Sequence, residues 1–597
     1  MPLHEGKHNV ENRIKIPDVV KNSVIFSTPK TVDALVDLIN SANGAVAIDG
    51  WYGVDFKGLV ALLKEKGAQA QFVHFSSVYK PMEEIKAYRK PFLTDDPSFG
   101  YANLEGRIID IIDQDKLGKL KSELKKGVVV YGYGAALPEI FDSYDKTIYL
   151  DMTKQTMLWQ FWDGKLVTFA CEEPDMKYGW KDLYYCDYYL LYFHKNFVIE
   201  RMDYYIEAIT LDTLKIMPRK SYDEIVKTLV RYPVKEVEIY QPSNWGGYRY
   251  KDLWDIPGLA VFGWNKQAGS ELSVIIDIDA EETLTIPFNN LMQYPLDLVG
   301  KHVHETYPHL FPLDAWLNDG YFPEKVPQER RSMPVHNHPS SDYVKQHFGE
   351  PLGRYETYYI TEAYEGACTL MGFHEDANLD EWEAKCRESN NATEIPDWKD
   401  YVVIWESMVG DLYLIPPGTD HGTGGNQMVL ELDTCPSISG TEYSFFSHAY
   451  ARNTFDDNKK TMTAPPFKMH LDHSFDNSKC RRKSYIEKNH RARPTVFKWT
   501  KDYSVDRYSS LPEMPFEIER IHFQNKGEYD TEGKFCHVAT LTMGKNVKVY
   551  SKANPELCTN INLYQSVVIP ASFGEYVVEG SGDGGMHTIT LIRWKKG

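Results

Sequence analysis

Apolar and polar positions change their rhythm once along the chain, close to residue 225. Before that point, segments with apolar residues three or four apart alternate with short apolar runs such as "AVAIDG" (45–50). The first spacing predicts helices and the second predicts buried strands. Their alternation indicates an α/β region with a mostly parallel sheet.

Beyond residue 225 the pattern is typical of all-β structure. Short apolar segments are separated by Gly, Pro and Asn turns, as in "GDLYLIPPG" (410–418) and "SVVIPASFGEYVVEG" (566–580). Many short strands with frequent turns predict sandwiches or small barrels. One charged segment, 374–400, has helical spacing and predicts a small helical insertion.

Composition narrows the class of protein. A chain of 597 residues with 42% apolar residues is globular and too long for a single core. The net charge of −19 argues against nucleic acid and anionic membranes as partners. There is no apolar stretch long enough to span a bilayer and no signal-peptide core at the start. The eight scattered cysteines contain no C-x-x-C pair and predict reduced thiols, so we expect a cytoplasmic protein.

The segment "GAVAIDGWYGVDFKGLVALL" (44–63) has the layout of a strand that leads into a phosphate-binding loop. The template for such a loop is G-x-x-x-x-G-K-[ST]. Counted from Gly50, its second glycine, lysine and hydroxyl positions hold Asp55, Phe56 and Lys57. Because all three defining residues are missing, we expect no phosphate transfer from ATP.

The N-terminal region nevertheless resembles the uridine kinase and phosphoribulokinase branch of P-loop proteins. "AVAIDG" stands at the loop strand, and "GVVVYGYGAAL" (127–137) is similar to the second signature strand. "DYYLLYFHKNFVIERMDYYI" (187–206) resembles the later strand and arginine-bearing helix. The resemblance implies a degenerate P-loop kinase-like domain over 1–225. The plainer alternative is an α/β domain with a tight strand-to-helix turn.

A second segment, "MPVHNHPSSDYVKQHFGEPLGRYETYYI" (333–360), contains residues of the types that bind metal ions. His336 and His338 are two apart, so on a strand both imidazoles project from one face. Glu356 follows in a β-prone run, and His421 comes just after a Pro-Pro-Gly turn. Three imidazoles and a carboxylate suit Zn²⁺, Fe²⁺, Mn²⁺ or Ni²⁺. The alternative is that these are structural histidines.

The same segments resemble the type I mannose-6-phosphate isomerases (phosphomannose isomerases) of the cupin superfamily. "HNHP" (336–339), "GRYETYY" (353–359) and "LYLIPPGTDHGTG" (412–424) follow the order of that family's motifs, and "NWGGYRYKDL" (244–253) resembles its W-G-G element. The resemblance implies a cupin barrel that binds one divalent metal, most often zinc. Its ligands would be His336, His338, Glu356 and His421.

The resemblance also implies a domain order. We predict a degenerate P-loop kinase-like α/β domain at 1–225, a metal-binding cupin (jelly-roll) domain at 226–495 and a metal-free cupin domain at 496–597.

One departure from the family pattern concerns the ligands, because the family has a glutamine where this chain has His336. The other departures concern the substrate and the proton. Arg354 stands where the family has a lysine. A later arginine of the family is replaced by Ser444, and Arg452 is the nearest candidate to substitute for it. Asp420 could move the proton, as could a water on the ion or Glu406, although Asp420 also fits a simple turn residue.

Three functions follow as hypotheses. The first is a metal-dependent aldose–ketose isomerase that acts on a hexose or hexose 6-phosphate of the mannose and fructose type. The second is a non-catalytic, metal-containing protein that binds a sugar or sugar phosphate. The third, an Fe²⁺ cupin dioxygenase, fits the ligand set but is not favoured by the surrounding motifs.

Overall fold

The computed structural model describes residues 4–5, 10–254, 262–279, 282–456, 458–459, 461–582 and 584–595. The chain divides into two compact units. The α/β unit consists of Glu11–Leu229 and Ser273–Gln293. The β unit consists of Met1–Val10, Val230–Leu272 and Tyr294–Gly597.

Strands and helices alternate up to residue 229. The strands are β1 (His4–Glu5), β2 (Asn12–Arg13), β3 (Ala45–Gly50), β4 (Gln71–His74), β5 (Val128–Tyr131), β6 (Tyr144–Asp151), β7 (Tyr204–Glu207) and β8 (Lys215–Pro218). The helices are α1 (Asp18–Lys21), α2 (Thr28–Ser41), α3 (Phe56–Glu65), α4 (Met82–Leu93), α5 (Gln114–Glu123), α6 (Pro138–Phe141), α7 (Lys154–Trp162), α8 (Tyr188–Ile199) and α9 (Arg219–Leu229).

The main sheet of the α/β unit has the order β4-β5-β3-β6-β7-β8. Its strands pair in parallel except for β7 and β8, so the predicted mostly parallel sheet is observed. β3 lies in the interior of the sheet and is buried along its whole length. The kinase resemblance predicted a strand followed by a helix within 187–206, and this order is wrong. The helix α8 comes first and the strand β7 follows it. A long apolar run does not by itself distinguish a buried helix from a strand.

The later strands and helices build the β unit, apart from the hairpin β11–β12. The strands up to residue 492 are β9 (Ile239–Gly247), β10 (Phe262–Ala268), β11 (Ser273–Asp279), β12 (Glu282–Pro287), β13 (Leu313–Asp319), β14 (Val335–Asn337), β15 (Glu356–Ala363), β16 (Cys368–Phe373), β17 (Val402–Glu406), β18 (Leu412–Ile415), β19 (His421–Thr423), β20 (Gln427–Thr434), β21 (Phe445–His448), β22 (Asn453–Asp456), β23 (Thr461–Pro466) and β24 (Arg491–Ala492). The helices are α10 (Arg249–Leu253), α11 (Pro295–Leu298), α12 (Lys301–Thr306), α13 (Gln328–Arg331), α14 (Ser341–Phe348), α15 (Leu379–Ser389), α16 (Leu471–Asn477) and α17 (Lys483–Asn489).

Two sheets form what we call the first sandwich. One has the order β1-β9-β10-β13-β20-β15-β18-β24, and the other has the order β17-β16-β19-β14-β21. Buried apolar side chains from both sheets share one cluster, among them Tyr358 on β15 and Met371 on β16. The predicted helical insertion is observed as α15.

The remaining strands form a second sandwich. They are β25 (Pro494–Trp499), β26 (Tyr503–Tyr508), β27 (Phe516–Phe523), β28 (Lys526–Asp530), β29 (His537–Met543), β30 (Asn546–Ser551), β31 (Cys558–Asn562), β32 (Ser566–Ile569), β33 (Glu575–Gly580) and β34 (His587–Trp594). Its sheets have the orders β25-β26-β27-β34-β29-β32 and β28-β33-β30-β31. Both contribute to one apolar core, which includes Ile521 on β27 and Val549 on β30.

The hairpin β11–β12 groups with the α/β unit, although it lies within the predicted second domain. β11 pairs in parallel with β2, and Asn290 donates a hydrogen bond of 2.8 Å to Asp151. Such long-range pairing leaves no local signal in the sequence. The boundaries at 225/226 and 495/496 stay predictions.

Within the described ranges, no helix combines the length and apolar character needed to cross a bilayer.

Candidate metal centre

Two facing sheets bring together the four residues predicted as ligands. His336 on β14 lies directly opposite His421 on the antiparallel neighbour β19. Glu356 is the first residue of β15, in the other sheet of the first sandwich. With His338, these residues are buried, and one ligand atom from each lies within 4.8 Å of the others. We call the four the ligand group.

Hydrogen bonds to backbone carbonyls fix the orientation of the three imidazoles. Each ring is bonded through Nδ1. The contacts are His336 Nδ1 to Pro334 O at 2.8 Å, His421 Nδ1 to Thr419 O at 2.8 Å, and His338 Nδ1 to Tyr443 O at 3.3 Å. Because a carbonyl only accepts, a ring that donates to it carries its proton on Nδ1, and in that tautomer the neutral ring presents a lone pair on Nε2.

The carboxylate of Glu356 faces these lone pairs. The Nε2 atoms of His338 and His421 each lie 2.7 Å from Glu356 Oε2. The His421 contact lacks hydrogen-bond geometry, and its Nε2 has no hydrogen-bond partner among the described residues. At this distance a lone pair on His421 Nε2 and the carboxylate oxygen repel one another unless a cation lies between them, whereas His338 Nε2 is placed to form a hydrogen bond with Glu356 Oε2. The group therefore fits a bound metal ion.

Burial keeps His336 and His338 in the neutral form that metal ligands need. It lowers the pKa of His338 to about 4 and that of His336 well below its ordinary value. Burial opposes ionisation of Glu356, but His338 and His421 together hold the pKa of that carboxyl well below its usual range. Neutral imidazoles and an ionised carboxylate are the forms that bind Zn²⁺.

Arg354 lies beside the ligand group, but other carboxylates already engage its charge. Its Nη2 is 3.8 Å from Glu356 Oε1 and donates a hydrogen bond of 2.9 Å to Asp433. Its Nη1 forms an ion pair with Glu442. Arg354 thus neutralises buried carboxylates of the sandwich interior.

The structure does not bring Asp420 to the ligand group. Successive strand residues point to opposite faces, so Asn337 and Asp420 face away when their histidine neighbours face inward. Asn337 Nδ2 donates a hydrogen bond of 3.0 Å to Asp420 Oδ1, and the Ser478 hydroxyl donates to Oδ2. The predicted role of Asp420 in proton transfer therefore has no support from its geometry.

The guanidinium of Arg452 binds backbone carbonyl groups of the protein. It donates hydrogen bonds of 2.8 and 2.6 Å to the carbonyls of Arg330 and Ser332, in the segment that precedes β14. Burial lowers its pKa to about 9. Glu406, the other residue considered for the proton, is exposed at the end of β17.

Two inward-facing carboxyl groups on β20 were not among the residues predicted for the site. Carboxylate oxygens of Glu431, Asp433 and Glu356 lie within 4.8 Å of one another. Burial and the neighbouring Glu356 raise the pKa of Glu431 well above its ordinary value, and Asn318 donates a hydrogen bond to its Oε1. The signal was present in "QMVLELDT" (427–434), where two acidic residues stand two apart in an apolar strand.

A second cluster in the first sandwich has the composition of a metal site but already holds a cation. Glu271, Asp314 and Cys435 bring their ligand atoms within 4.8 Å of one another. The ammonium of Lys266 lies 2.5 Å from Glu271 and 3.1 Å from Asp314. This cluster is therefore a buried ion-pair network.

In the α/β unit, a side chain of the loop after β3 caps the helix that follows the loop. Asp55 caps α3 and accepts a hydrogen bond of 2.8 Å from the backbone N–H of Gly58. Phe56 is buried. A Cβ on Gly50 would lie 2.7 Å from the carbonyl oxygen of Leu150, so this glycine serves the close approach of β3 and β6.

Comparison with known proteins gives one family match. Residues 31–231 match the model of a domain of unknown function (DUF8485). This description names no activity, so the resemblance of the N-terminal region to P-loop kinases stays a prediction.

The curated relatives are isomerases by name. The chain is 30% identical over 164 residues to the mannose-6-phosphate isomerase of Streptococcus mutans. The aligned residues make up 27% of this chain and 44% of that protein. It is 26% identical over 235 residues to "Probable mannose-6-phosphate isomerase GmuF" of Bacillus subtilis. This alignment covers 39% of this chain and 65% of that protein. In both cases the match spans less than two thirds of the relative.

Similar solved structures carry the same name. A mannose 6-phosphate isomerase from Bacillus subtilis has 14% identity and a TM-score of 0.47, with 60% of this chain and 99% of that one covered. A mannose 6-phosphate isomerase bound with zinc and yttrium has 9% identity and a TM-score of 0.43, with 61% and 100% covered. Scores at this level do not establish a shared fold. The chain is thus similar to mannose-6-phosphate isomerases over part of its length.

Proposed function

We propose that the protein is a metal-dependent aldose–ketose isomerase that acts on a hexose or a hexose 6-phosphate. The observation that carries the proposal is the convergence of the ligand group between the two sheets of the first sandwich. The named relatives support the choice of reaction.

The residues present fit one divalent metal ion, with zinc as the first choice. His336, His338, Glu356 and His421 would hold it, and three nitrogens with one oxygen suit that ion. When bound, such an ion acts as a Lewis acid that polarises a sugar carbonyl and stabilises charge on its oxygens.

Glu431 is the residue we propose for moving the proton between adjacent sugar carbons. Its carboxyl lies inside the first sandwich beside Glu356. Within the part of the chain that the structure describes, it forms no ion pair, whereas Asp433 is held by Arg354. A carboxyl group that is not committed to a cation can accept and return a proton.

The contacts of Arg354 and Arg452 affect which substrate we propose. Arg354 pairs with Asp433 and Glu442, and Arg452 donates to backbone carbonyls. Neither is free to hold a phosphate in bidentate fashion. We therefore place unphosphorylated mannose and fructose beside their 6-phosphates as substrates to test.

The test combines metal analysis with turnover. The purified protein is loaded with zinc and assayed with mannose 6-phosphate, fructose 6-phosphate, mannose and fructose. Glu431→Gln is expected to lose turnover while it keeps its zinc, whereas Glu406→Gln, at an exposed carboxylate, is expected to retain both. Zinc-loaded protein that turns over none of the four sugars would overturn the isomerase proposal.

One observation favours a second function, a non-catalytic metal-containing sugar-binding protein. The side chains of Arg354, Asp420 and Arg452, which the sequence suggested would act on the substrate, are engaged by other groups of the protein. This alternative predicts that sugars bind to the metal-loaded protein without turnover. Binding measured by calorimetry in the absence of isomerisation would support it.

A further inference from the structure

The second sandwich contains a cavity that the proposed function does not use. Its volume is about 450 Å³, within the roughly 300–1,000 Å³ that is typical of small-molecule sites. Side chains of the strands β25 to β29, β33 and β34 line it, together with Lys552 just after β30. The lining residues include Phe497, Tyr529, His537 and Arg593.

A neutralised ion-pair network lies under the cavity. Glu519 is fully buried and accepts hydrogen bonds of 2.7 Å from Arg507 Nε and 3.1 Å from Arg593 Nε. Arg593 Nη2 also donates to Glu517 at 2.8 Å, and the Tyr529 hydroxyl donates to Glu519. Each guanidinium is matched by a carboxylate, so the network offers no uncompensated positive charge to an anion.

Two polar atoms next to this network lack protein partners. Among the described residues, Arg593 Nη1 and His537 Nε2 make no hydrogen bond, yet neither atom is sealed from solvent. Both residues line the cavity and are more than nine-tenths buried, so these atoms face into it. Burial, together with Arg593, lowers the pKa of His537 to about 3, which leaves the ring uncharged at neutral pH.

Charges on the wall of the cavity are balanced as well. Five lysine or arginine side chains and five carboxylates line it. At the rim, Lys552 pairs with Glu528 at 2.9 Å and with Glu575 at 3.6 Å. The ring of Phe497, half exposed, adds an apolar surface. A lining with many donors and acceptors, no net charge and aromatic rings matches a polyhydroxylated ligand, whose hydroxyls both donate and accept.

We propose that this cavity is a second binding site of the protein, specific for an uncharged saccharide. Hydroxyl groups would bond to Arg593 Nη1, His537 Nε2 and the paired carboxylates, and the sugar ring would pack on Phe497. The site is built only from residues of the second sandwich, so it does not depend on the ligand group or on the proposed isomerase activity.

The test measures binding of neutral sugars to the full-length protein by calorimetry and ligand-observed NMR. The probes are mannose, glucose, maltose and cellobiose, with mannose 6-phosphate, inorganic phosphate and acetate as charged comparators. At least one neutral probe is expected to bind, and Phe497→Ala is expected to weaken it at least tenfold. Val496→Ala is the matched control, since Val496 is 55% exposed on the same strand but does not line the cavity.

Further measurements test whether binding at this site is independent of the ligand group. Binding is expected to persist after removal of metal with a chelator and in His338→Ala, whereas Lys552→Ala, at the exposed rim, should weaken it. The proposal is overturned if none of the neutral probes binds at millimolar concentration. It is also overturned if phosphate competes better than the sugar, or if Phe497→Ala and Lys552→Ala, both still folded by circular dichroism, bind as well as the wild type.

Discussion

The loop after β3 and the interior of the first sandwich are both places where a sequence pattern suggested a ligand, and they differ in how their polar atoms are satisfied. In the loop, Asp55 fills the N-terminus of α3 with the carboxylate of the chain itself. In the sandwich, the Nε2 of His421 is buried and has no hydrogen-bond partner among the described residues. The protein completes the first arrangement internally, whereas the second fits an added cation.

This difference shows what a ligand site requires beyond the right residue types. A helix N-terminus attracts anions, but a capping side chain can satisfy it at no cost to the fold. Three imidazoles held by their Nδ1 atoms to the backbone cannot turn away from one another. Ring nitrogens that are fixed in position and converge on one point therefore distinguish the ligand group from a capped helix end.

The largest expected effect comes from removing one member of the ligand group. His338→Ala should lower zinc affinity by more than the roughly 10–100-fold that loss of an outer-shell partner costs, because a ligand itself is lost. Zinc per chain, measured by mass spectrometry after dialysis, should fall to near background. His347→Ala is the control, since that histidine belongs to the same motif but not to the group. Equal zinc content in both variants would contradict the assignment.

Replacement of Arg354 should have the next largest effect. Arg354→Met leaves Asp433 without its buried cation and removes one of the two cations that pair with Glu442, which should lower the free energy of unfolding by about 3–5 kcal/mol. Urea unfolding measures this change. Arg387→Met removes a guanidinium of exposed pairs with Glu383 and Asp472 and should cost at most about 1 kcal/mol. Similar losses in the two variants would show that Arg354 is not a structural cation.

His448 tests whether an unpaired imidazole in the same sheet can be an ordinary core residue. Its Nε2 is buried and unpartnered within the described chain, and burial, with a smaller effect of Arg452, lowers the pKa of His448 to about 3. The unfolded chain binds a proton near pH 6.5 and the folded chain does not, so stability is lost as the pH falls below that value. Between pH 7 and pH 5 this histidine should account for about 2 kcal/mol of the loss.

His448→Phe should remove that part of the acid sensitivity. Urea unfolding at the two pH values gives the difference between variant and wild type. If both lose the same free energy of unfolding, then His448 does not carry the effect.

The smallest effect is expected in the loop of the α/β unit. Asp55→Ala removes a helix cap and should cost about 0.5–2 kcal/mol of stability without creating a nucleotide site. Thermal unfolding and ATP binding are measured on the same samples. Micromolar ATP binding by the wild type, abolished by changes at Gly50 or Lys57, would show that the loop is a working site after all.

Local patterns predicted much of the fold and the ligand group. Strand periodicity was enough to place His336 and His338 on one face, and helical spacing found α2 and α15. Those features depend on residues close in sequence.

Features that depend on pairing between distant strands could not be predicted. Which neighbour of His421 faces the interior is decided by its pairing with β14, so the sequence offered Asp420 as one candidate for the proton and did not point to Glu431. The partners that engage Arg354 and Arg452 likewise come from distant segments.

The hairpin β11–β12 has a consequence for how the chain is made. The α/β unit needs residues 273–293, which follow the first strands of the β unit in the sequence. During synthesis, the ribosome must therefore release part of the second unit before the first can be completed. We expect a chain truncated near residue 230 to leave β2 without its partner strand and Asp151 without the amide of Asn290. A recombinant α/β unit would have to carry the hairpin through a new covalent connection.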